Sequence, residues 1–131
     1  MGERVLRSSL VVLVVAVMTA CATVYSGTAG LSSPGEYNPI TGEYTQLFSA
    51  SLDKTWKVTV EALEGLELTI VKRAKDQLGG RVQAVRADGT EVEINLEPQS
   101  LALTLVKIKV GSGDKEASIR IAQELERRLQ K

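Results

Sequence analysis

Cys21 is the residue whose type and position favour one specific chemistry. It is the single cysteine in a chain of 131 residues that contains no histidine. A lone thiol cannot form an intrachain disulfide or a thiolate metal cluster. The lack of histidine also removes the commonest general base and the most frequent transition-metal ligand. Cys21 is therefore either modified on its sulfur or chemically idle.

The residues before Cys21 have the composition of an export signal. Arg4 and Arg7 precede an uncharged apolar run from Ser8 to Ala20, as the charged and apolar regions of a signal peptide do. A helix of that length reaches only about 20 Å, too short for a hydrocarbon layer of about 30 Å. We predict a signal peptide over residues 1–20.

The run Met18-Thr19-Ala20-Cys21 resembles the lipobox of bacterial lipoproteins, in which small residues precede a cysteine that receives a diacylglycerol thioether. The usual Leu is replaced by Met18. The resemblance implies that a lipidated Cys21 begins the mature chain and holds it in a membrane. Ala22 stands where Asp marks inner-membrane retention in enteric bacteria, which favours an outer membrane lipoprotein facing the periplasm over the inner membrane. The alternative is a free cysteine after an ordinary signal peptide or signal anchor.

Other groups that could do chemistry have simpler interpretations. Glu91, Glu93 and Glu97 recur on the polar side of an alternating run, which favours a solvated strand face over an acid–base pair. The Gly-rich segments 79–80 and 111–113 lack the Lys-Ser/Thr ending of a phosphate loop. We predict a protein that is not an enzyme and that has no cofactor and no metal.

A basic cluster is a possible interaction surface. It consists of Lys72, Arg73, Lys75, Arg81 and Arg86, which paired strands could gather on one exposed face. The alternatives are a solvated face and a site for an anionic lipid or protein partner. The whole chain has 16 basic and 16 acidic residues, so we expect no general attraction to nucleic acid.

These groups must be positioned by one small domain. Gly, Ser, Thr, Pro and Asn dominate the residues up to 42, which indicates a lipidated Cys and flexible tether over 21–42. Residues 43–131 are then a single periplasmic domain. Its predicted elements are a strand at 43–48, a helix from Ser51 to Gly65, strands at 67–75, 81–86, 91–97 and 101–110, and a helix after Asp114.

Details of this pattern carry further expectations. Ser51 and Asp114 are candidate helix N-caps, and Gly65 a candidate left-handed cap. Asp88-Gly89 favours a type I′ hairpin turn. A bulge near Leu105 and Val106 would reconcile the two hydrophobic parities of the last strand. The order strand, helix, four strands, helix predicts an α+β fold, an antiparallel sheet of about five strands with two helices on one face.

The whole chain resembles a family of small uncharacterised bacterial lipoproteins, domain of unknown function 3568. The resemblance rests on the lipobox, Tyr44, the Ser51–Trp56 segment, the Ala87-Asp88-Gly89-Thr90 hairpin and the segments that follow it. The family has no assigned activity or catalytic residues, so the resemblance implies neither for this chain.

Two functions are compatible with these features. The first is a non-enzymatic module that binds a protein of the cell envelope, with Tyr37 and Tyr44 as natural contact residues. The alternative is a carrier or sensor of a lipid or other apolar ligand held between helix and sheet. About 90 folded residues can barely fill one core, which argues against a large ligand cavity.

Overall fold

From residue 34 the chain forms two strands, a helix, four strands and a second helix. The computed structural model describes residues 34–131. In chain order the elements are β1 (Glu36–Asn38), β2 (Glu43–Phe48), α1 (Leu52–Gly65), β3 (Thr69–Lys75), β4 (Gly80–Val85), β5 (Glu91–Ser100), β6 (Leu103–Val110) and α2 (Lys115–Leu129).

The six strands form one antiparallel sheet in the order β1-β2-β6-β5-β4-β3. Strands β3 to β6 are a meander, and α1 carries the chain from β2 to the far edge where β3 begins. The predicted α+β class and the order of strand, helix, four strands and helix are confirmed, with β1 as an additional strand.

Strand β1 corrects the prediction of a tether that extends to residue 42. Glu36, Tyr37 and Asn38 pair with β2, and the Tyr37 hydroxyl donates a hydrogen bond of 2.7 Å to the Gly113 carbonyl. Gly42 (φ +75°) lies against Gly113, and a Cβ on Gly42 would fall 2.9 Å from the Gly113 Cα. Three residues are too few to show an alternating pattern, so the sequence gives no strand signal here.

The hydrophobic core lies between the two helices and one face of the sheet. Alternate strand residues point into it because successive side chains in a strand take opposite faces. The largest fully buried apolar side chains are Phe48, Leu63, Val82, Val92, Ile94, Leu96, Val106, Ile108, Val110 and Leu125. Trp56 is half-buried and packs against the same cluster, in agreement with its predicted role as a core anchor.

Strand β6 keeps a single parity along its whole length. Thr104, Val106, Ile108 and Val110 are buried, while Leu103 and Leu105 lie on the opposite side. The predicted bulge near Leu105 and Val106 is therefore wrong. The inward position at the start of the strand is taken by Thr104, whose hydroxyl donates to the Ala50 carbonyl at 2.9 Å. The observed register shifts lie at 70–72 and 98–100.

The helix N-caps agree with the sequence, and the end of α1 does not. The Ser51 and Asp114 side chains accept hydrogen bonds from Lys54 N and Ala117 N at 3.2 and 3.1 Å. The left-handed residue after α1 is Glu67 (φ +63°), not Gly65. The Leu68 amide donates to the Leu63 carbonyl at 2.9 Å, as in a Schellman motif with Glu67 at its left-handed position.

The β4–β5 turn also differs from its predicted type. Within it Gly89 alone has a positive φ, +88°, whereas a type I′ turn needs two such residues. The Arg86 amide donates to the Thr90 carbonyl at 2.9 Å and closes a three-residue loop. This is the type I turn followed by a left-handed glycine that three-residue hairpins commonly use.

Candidate interaction surface

The side of the sheet opposite the helices is uncovered within residues 34–131, and we call it the open face. It presents the strand residues that alternate with the core. They are Thr45 and Leu47 of β2, Leu103, Leu105, Lys107 and Lys109 of β6, Glu91, Glu93, Asn95 and Glu97 of β5, and Arg81, Gln83 and Val85 of β4.

Three leucines lie together on the open face, and we call Leu47, Leu103 and Leu105 the leucine patch. Leu47 and Leu105 are direct cross-strand partners, and Leu103 is the next outward residue of β6. All three are half-buried although neither α1 nor α2 covers them. These leucines do not contact the core between the helices and the sheet. Core packing therefore does not explain why leucine occupies these positions.

One charged pair borders the leucine patch, and a second lies farther along the open face. The Lys107 ammonium lies 3.1 Å from a carboxylate oxygen of Glu97, which is the cross-strand neighbour of Leu105. Arg81 pairs with Glu93, which also accepts a hydrogen bond of 3.2 Å from the Asn95 amide. The hydrogen bond from Arg81 lowers the pKa of Glu93. Glu93 therefore stays ionised at neutral pH, where it can balance a cation but cannot donate a proton.

A groove of about 690 Å³ lies between the open face and the β3–β4 turn. Its polar lining includes Arg81, Glu93, Asn95, Glu97 and Lys107. The ion pairs described above engage two of the four carboxylates and two of the three cations that line it. The groove therefore presents charge of both signs, which suits hydrogen bonding to a polar surface better than capture of a strongly charged ligand.

The predicted basic cluster is not one patch in the structure. Val71 is the extra residue at a bulge in β3 and changes which side the following residues take. Lys72 stands opposite Gln83 on the open face, whereas Arg73 and Lys75 stand opposite Val82 and Gly80 on the helix side.

Ion pairs divide the cluster further. The Lys75 ammonium lies 2.6 Å from an Asp53 oxygen, and Arg86 lies 3.0 Å from Asp88 in the β4–β5 turn. The hydrogen bond from Arg86 lowers the pKa of Asp88. Because most of these cations already have carboxylate partners, the cluster does not form a continuous positive surface.

The two tyrosines suggested as contact residues serve the domain itself. Tyr44 is 9% exposed, and its hydroxyl donates to the Gln46 side chain at 3.0 Å. Burial raises the pKa of Tyr44, with a smaller contribution from Glu126. Tyr37 connects β1 to the loop before α2 through its hydrogen bond to the Gly113 carbonyl. Cys21 lies outside the described residues.

Both edges of the sheet are poorly suited to adding a further strand. Strand β1 has only three residues. Strand β3 carries Lys72, Arg73 and Lys75 and is interrupted by its bulge. Short edges, charged side chains and bulges are the devices by which proteins prevent edge-to-edge pairing.

The helix–sheet interface offers little room for an apolar ligand. Leu63, Ile94 and Leu125 are fully buried there. A cleft at its end, lined by residues that include Leu68, Val110 and Ile121, measures about 150 Å³. Ligand pockets commonly measure about 300–1,000 Å³, so no specific observation favours the carrier alternative.

Within the part of the chain that the structure describes, no group of three or more acidic or cysteine side chains is arranged to hold a metal ion. Neither of the helices in residues 34–131 is long and apolar enough to cross a membrane.

Sequence reasoning missed the leucine patch although a signal was present. Leu103 and Leu105 share one parity, and Val106, Ile108 and Val110 share the other. A single regular strand with two apolar sides explains this pattern without a bulge. The second apolar side then predicts an additional contact surface.

Comparison with protein families adds one finding. The profile of a family described as "Protein of unknown function (DUF3568)" matches residues 4–128. The chain belongs to this family. The match covers almost the whole sequence, including α1 and all but the last residue of α2. No match is found among curated proteins.

Proposed function

We propose that this DUF3568 protein is a lipoprotein of the bacterial cell envelope that binds another envelope protein through the open face of its sheet. Lipid on Cys21 would hold it in the outer membrane, facing the periplasm. The binding role is not enzymatic and needs no cofactor. The observation that carries the proposal is the leucine patch, an apolar cluster outside the core on a sheet face that neither α1 nor α2 covers.

The composition of the open face supports a protein partner. Protein–protein interfaces combine an apolar centre with a polar rim and exclude unpaired charge from the centre. The leucine patch supplies the centre, and the Lys107–Glu97 pair and the polar groove supply one side of the rim. The sheet also holds the leucines in fixed positions, which lowers the entropy lost on binding.

The anchor is supported by the sequence around Cys21. The positive and apolar segments before it have the order of a signal peptide, and small residues lead directly to the cysteine. Two or three acyl chains anchor a protein stably in a bilayer, whereas a single chain binds only reversibly. Mass spectrometry of the mature protein tests this point. An intact leader or an unmodified Cys21 would refute the anchor.

The binding role is tested by capture from detergent-solubilised envelopes of the native bacterium. The full-length protein should recover a partner in stoichiometric amount. Leu105→Lys should lose most of this partner, because it places a charge in the centre of the leucine patch. Lys is chosen because Glu97 lies directly opposite and can pair with it, which protects the fold.

A matched control separates binding from stability. Ile40 is 93% exposed and lies in the β1–β2 turn, away from the leucine patch, so Ile40→Lys should capture as much partner as the wild type. Equal urea midpoints for both variants would show that the domain is folded. Recovery of no stoichiometric partner by the wild type, or equal recovery by Leu105→Lys, would contradict the proposal.

A further inference from the structure

Two leucines project from the tips of hairpin turns outside both the core and the leucine patch. Leu78, in the β3–β4 turn, is 85% exposed, and Leu101, in the β5–β6 turn, is 96% exposed. We call this pair the leucine tip. Single exposed leucines are ordinary, so the position of these two in neighbouring turns of the sheet is the feature of interest.

The two turns hold these side chains in place. In the β3–β4 turn one Asp76 carboxylate oxygen accepts hydrogen bonds from the Leu78 and Gly79 amides, at 2.8 and 3.1 Å. In the β5–β6 turn the Ser100 hydroxyl accepts from the Ala102 amide at 3.3 Å. Side-chain caps of this kind fix a turn locally. Both leucines are thus presented outward by an ordered backbone.

The register places both turns at one end of the sheet. Gly80 at the start of β4 stands opposite Leu96, and Thr104 near the start of β6 stands opposite both Pro98 and Phe48. A groove of about 470 Å³ at this end is lined by residues of both turns and of the start of α1, among them Gln77, Leu101 and Leu52.

The chain also enters the domain from this end. Strand β1 is antiparallel to β2, with Glu36 opposite Thr45. Pro34 and Gly35 therefore precede β1 on the side at which β2 finishes, which is the end that carries the leucine tip. From Cys21 to Pro34 there are 13 residue steps, which span at most about 45 Å when fully extended.

One ion pair and one further carboxylate lie beside the leucine tip. Lys75 pairs with Asp53 at 2.6 Å, and the Asp76 carboxylate accepts hydrogen bonds from two amides of its own turn. Contact with a lipid surface at this end would therefore desolvate one carboxylate that has no cation partner among residues 34–131, and its hydrogen bonds lower the cost.

We infer that the leucine tip inserts into the surface of the bilayer that holds the lipid anchor. This inference rests on the proposed lipidation of Cys21. A two-residue apolar projection binds a membrane weakly by itself, but a lipid anchor gives it a high effective concentration there. The contact orients the domain so that its tip end faces the lipid, with the β1–β2 turn directed away from it.

The test measures the depth of single labels on the full-length protein. Leu78→Cys, Leu101→Cys and the control Ile40→Cys are expressed in the native bacterium, so that Cys21 is modified and the introduced thiol is the free one. Each is labelled with an environment-sensitive fluorophore and reconstituted into protein-free vesicles of phosphatidylethanolamine and phosphatidylglycerol. Flotation reports anchoring, and quenching by aqueous iodide reports exposure of the label.

The expected result is flotation of all three proteins and severalfold weaker iodide quenching at positions 78 and 101 than at position 40. Flotation with equal quenching at the three positions would overturn the tip contact alone. Failure to float would overturn the lipid anchor and the tip contact together. Shielding of positions 78 and 101 in native membranes but not in protein-free vesicles would assign the tip to a protein and overturn the lipid contact.

Discussion

Glu67 should be replaceable by glycine with a gain in stability. It follows α1 in the left-handed region, with φ +63°, where the Leu68 amide completes a Schellman motif by donating to Leu63. Its side chain is exposed. Residues with a Cβ are strained in this backbone conformation, and glycine is the usual occupant of the position.

The gain can be worked from two opposing contributions. A left-handed backbone costs an L-residue about 1–2 kcal/mol, and Glu67→Gly removes this cost. Glycine also raises the conformational entropy of the unfolded chain, which costs about 0.4–1 kcal/mol. The net increase in the free energy of unfolding is about 0.5–1 kcal/mol. For a domain of this size that raises Tm by about 3–6 °C.

The assay is urea and thermal unfolding followed by the fluorescence of Trp56, the single tryptophan. Glu67→Ala is the matched control, because alanine removes the same carboxylate but keeps a Cβ, and it should give no gain. Glu67→Asn should fall between the two, since asparagine tolerates the left-handed region better than most residues. Equal stability of the Gly and Ala variants would refute the explanation from backbone strain.

Three further expectations concern the core and the response to pH. Gly80→Ala should destabilise the domain by about 1–3 kcal/mol in urea unfolding, because its Cβ would lie 2.7 Å from the Trp56 ring. Thr104→Val should cost about 1–3 kcal/mol, because the buried Ala50 carbonyl loses its partner at 2.9 Å. Glu124 accepts hydrogen bonds from Arg127 and Arg128, which lower its pKa from 4.5 to about 2. The stability that this carboxylate contributes is present above pH 4.5 and lost toward pH 2. In acid unfolding, Glu124→Gln should therefore lose less stability over that interval than the wild type.

Each of these expectations has a control within the chain. Gly89→Ala probes a glycine with open space around it but a positive φ of +88°. Any loss of unfolding free energy in Gly89→Ala is due to backbone strain. The loss expected in Gly80→Ala is due to the contact between the new Cβ and the Trp56 ring. Thr45→Val makes the same chemical change as Thr104→Val on the open face and should cost little. A Glu124→Gln protein with the same acid transition as the wild type would contradict the role of its arginine contacts.

Local features of the fold could be predicted, and features that depend on distant contacts could not. The N-caps at Ser51 and Asp114 need only the side chain and the next few amides, so sequence alone locates them. Thr104 could not be recognised as an inward residue, because its hydroxyl is satisfied by Ala50, 54 positions away. For the same reason the sequence suggests that the inward-facing positions of β6 change at Leu105 and Val106, whereas they alternate regularly along the whole strand.

The candidate surface also combines features that the local sequence predicts with features that depend on distant contacts. The polar face of β5 was predicted from its alternation, and the structure places Glu93 and Glu97 there. The basic cluster was expected on one face, but the bulge at Val71 separates Lys72 from Arg73 and Lys75. Strand β1 was missed because its position depends on Tyr37 reaching Gly113, which lies 76 residues away.

The pairing of β2 with β6 imposes an order on folding. Phe48 is paired with Thr104 and Tyr44 with Ile108, whereas the hairpins between β3 and β6 join near neighbours in sequence. Bringing distant segments together carries the larger loss of chain entropy. When the chain emerges amino end first, β2 appears well before β6. Until β6 has also emerged, β2 cannot pair with it. During that interval the backbone groups of β2 that will later pair with β6 are unpaired. A chaperone can bind them, and in its absence another chain can pair with them.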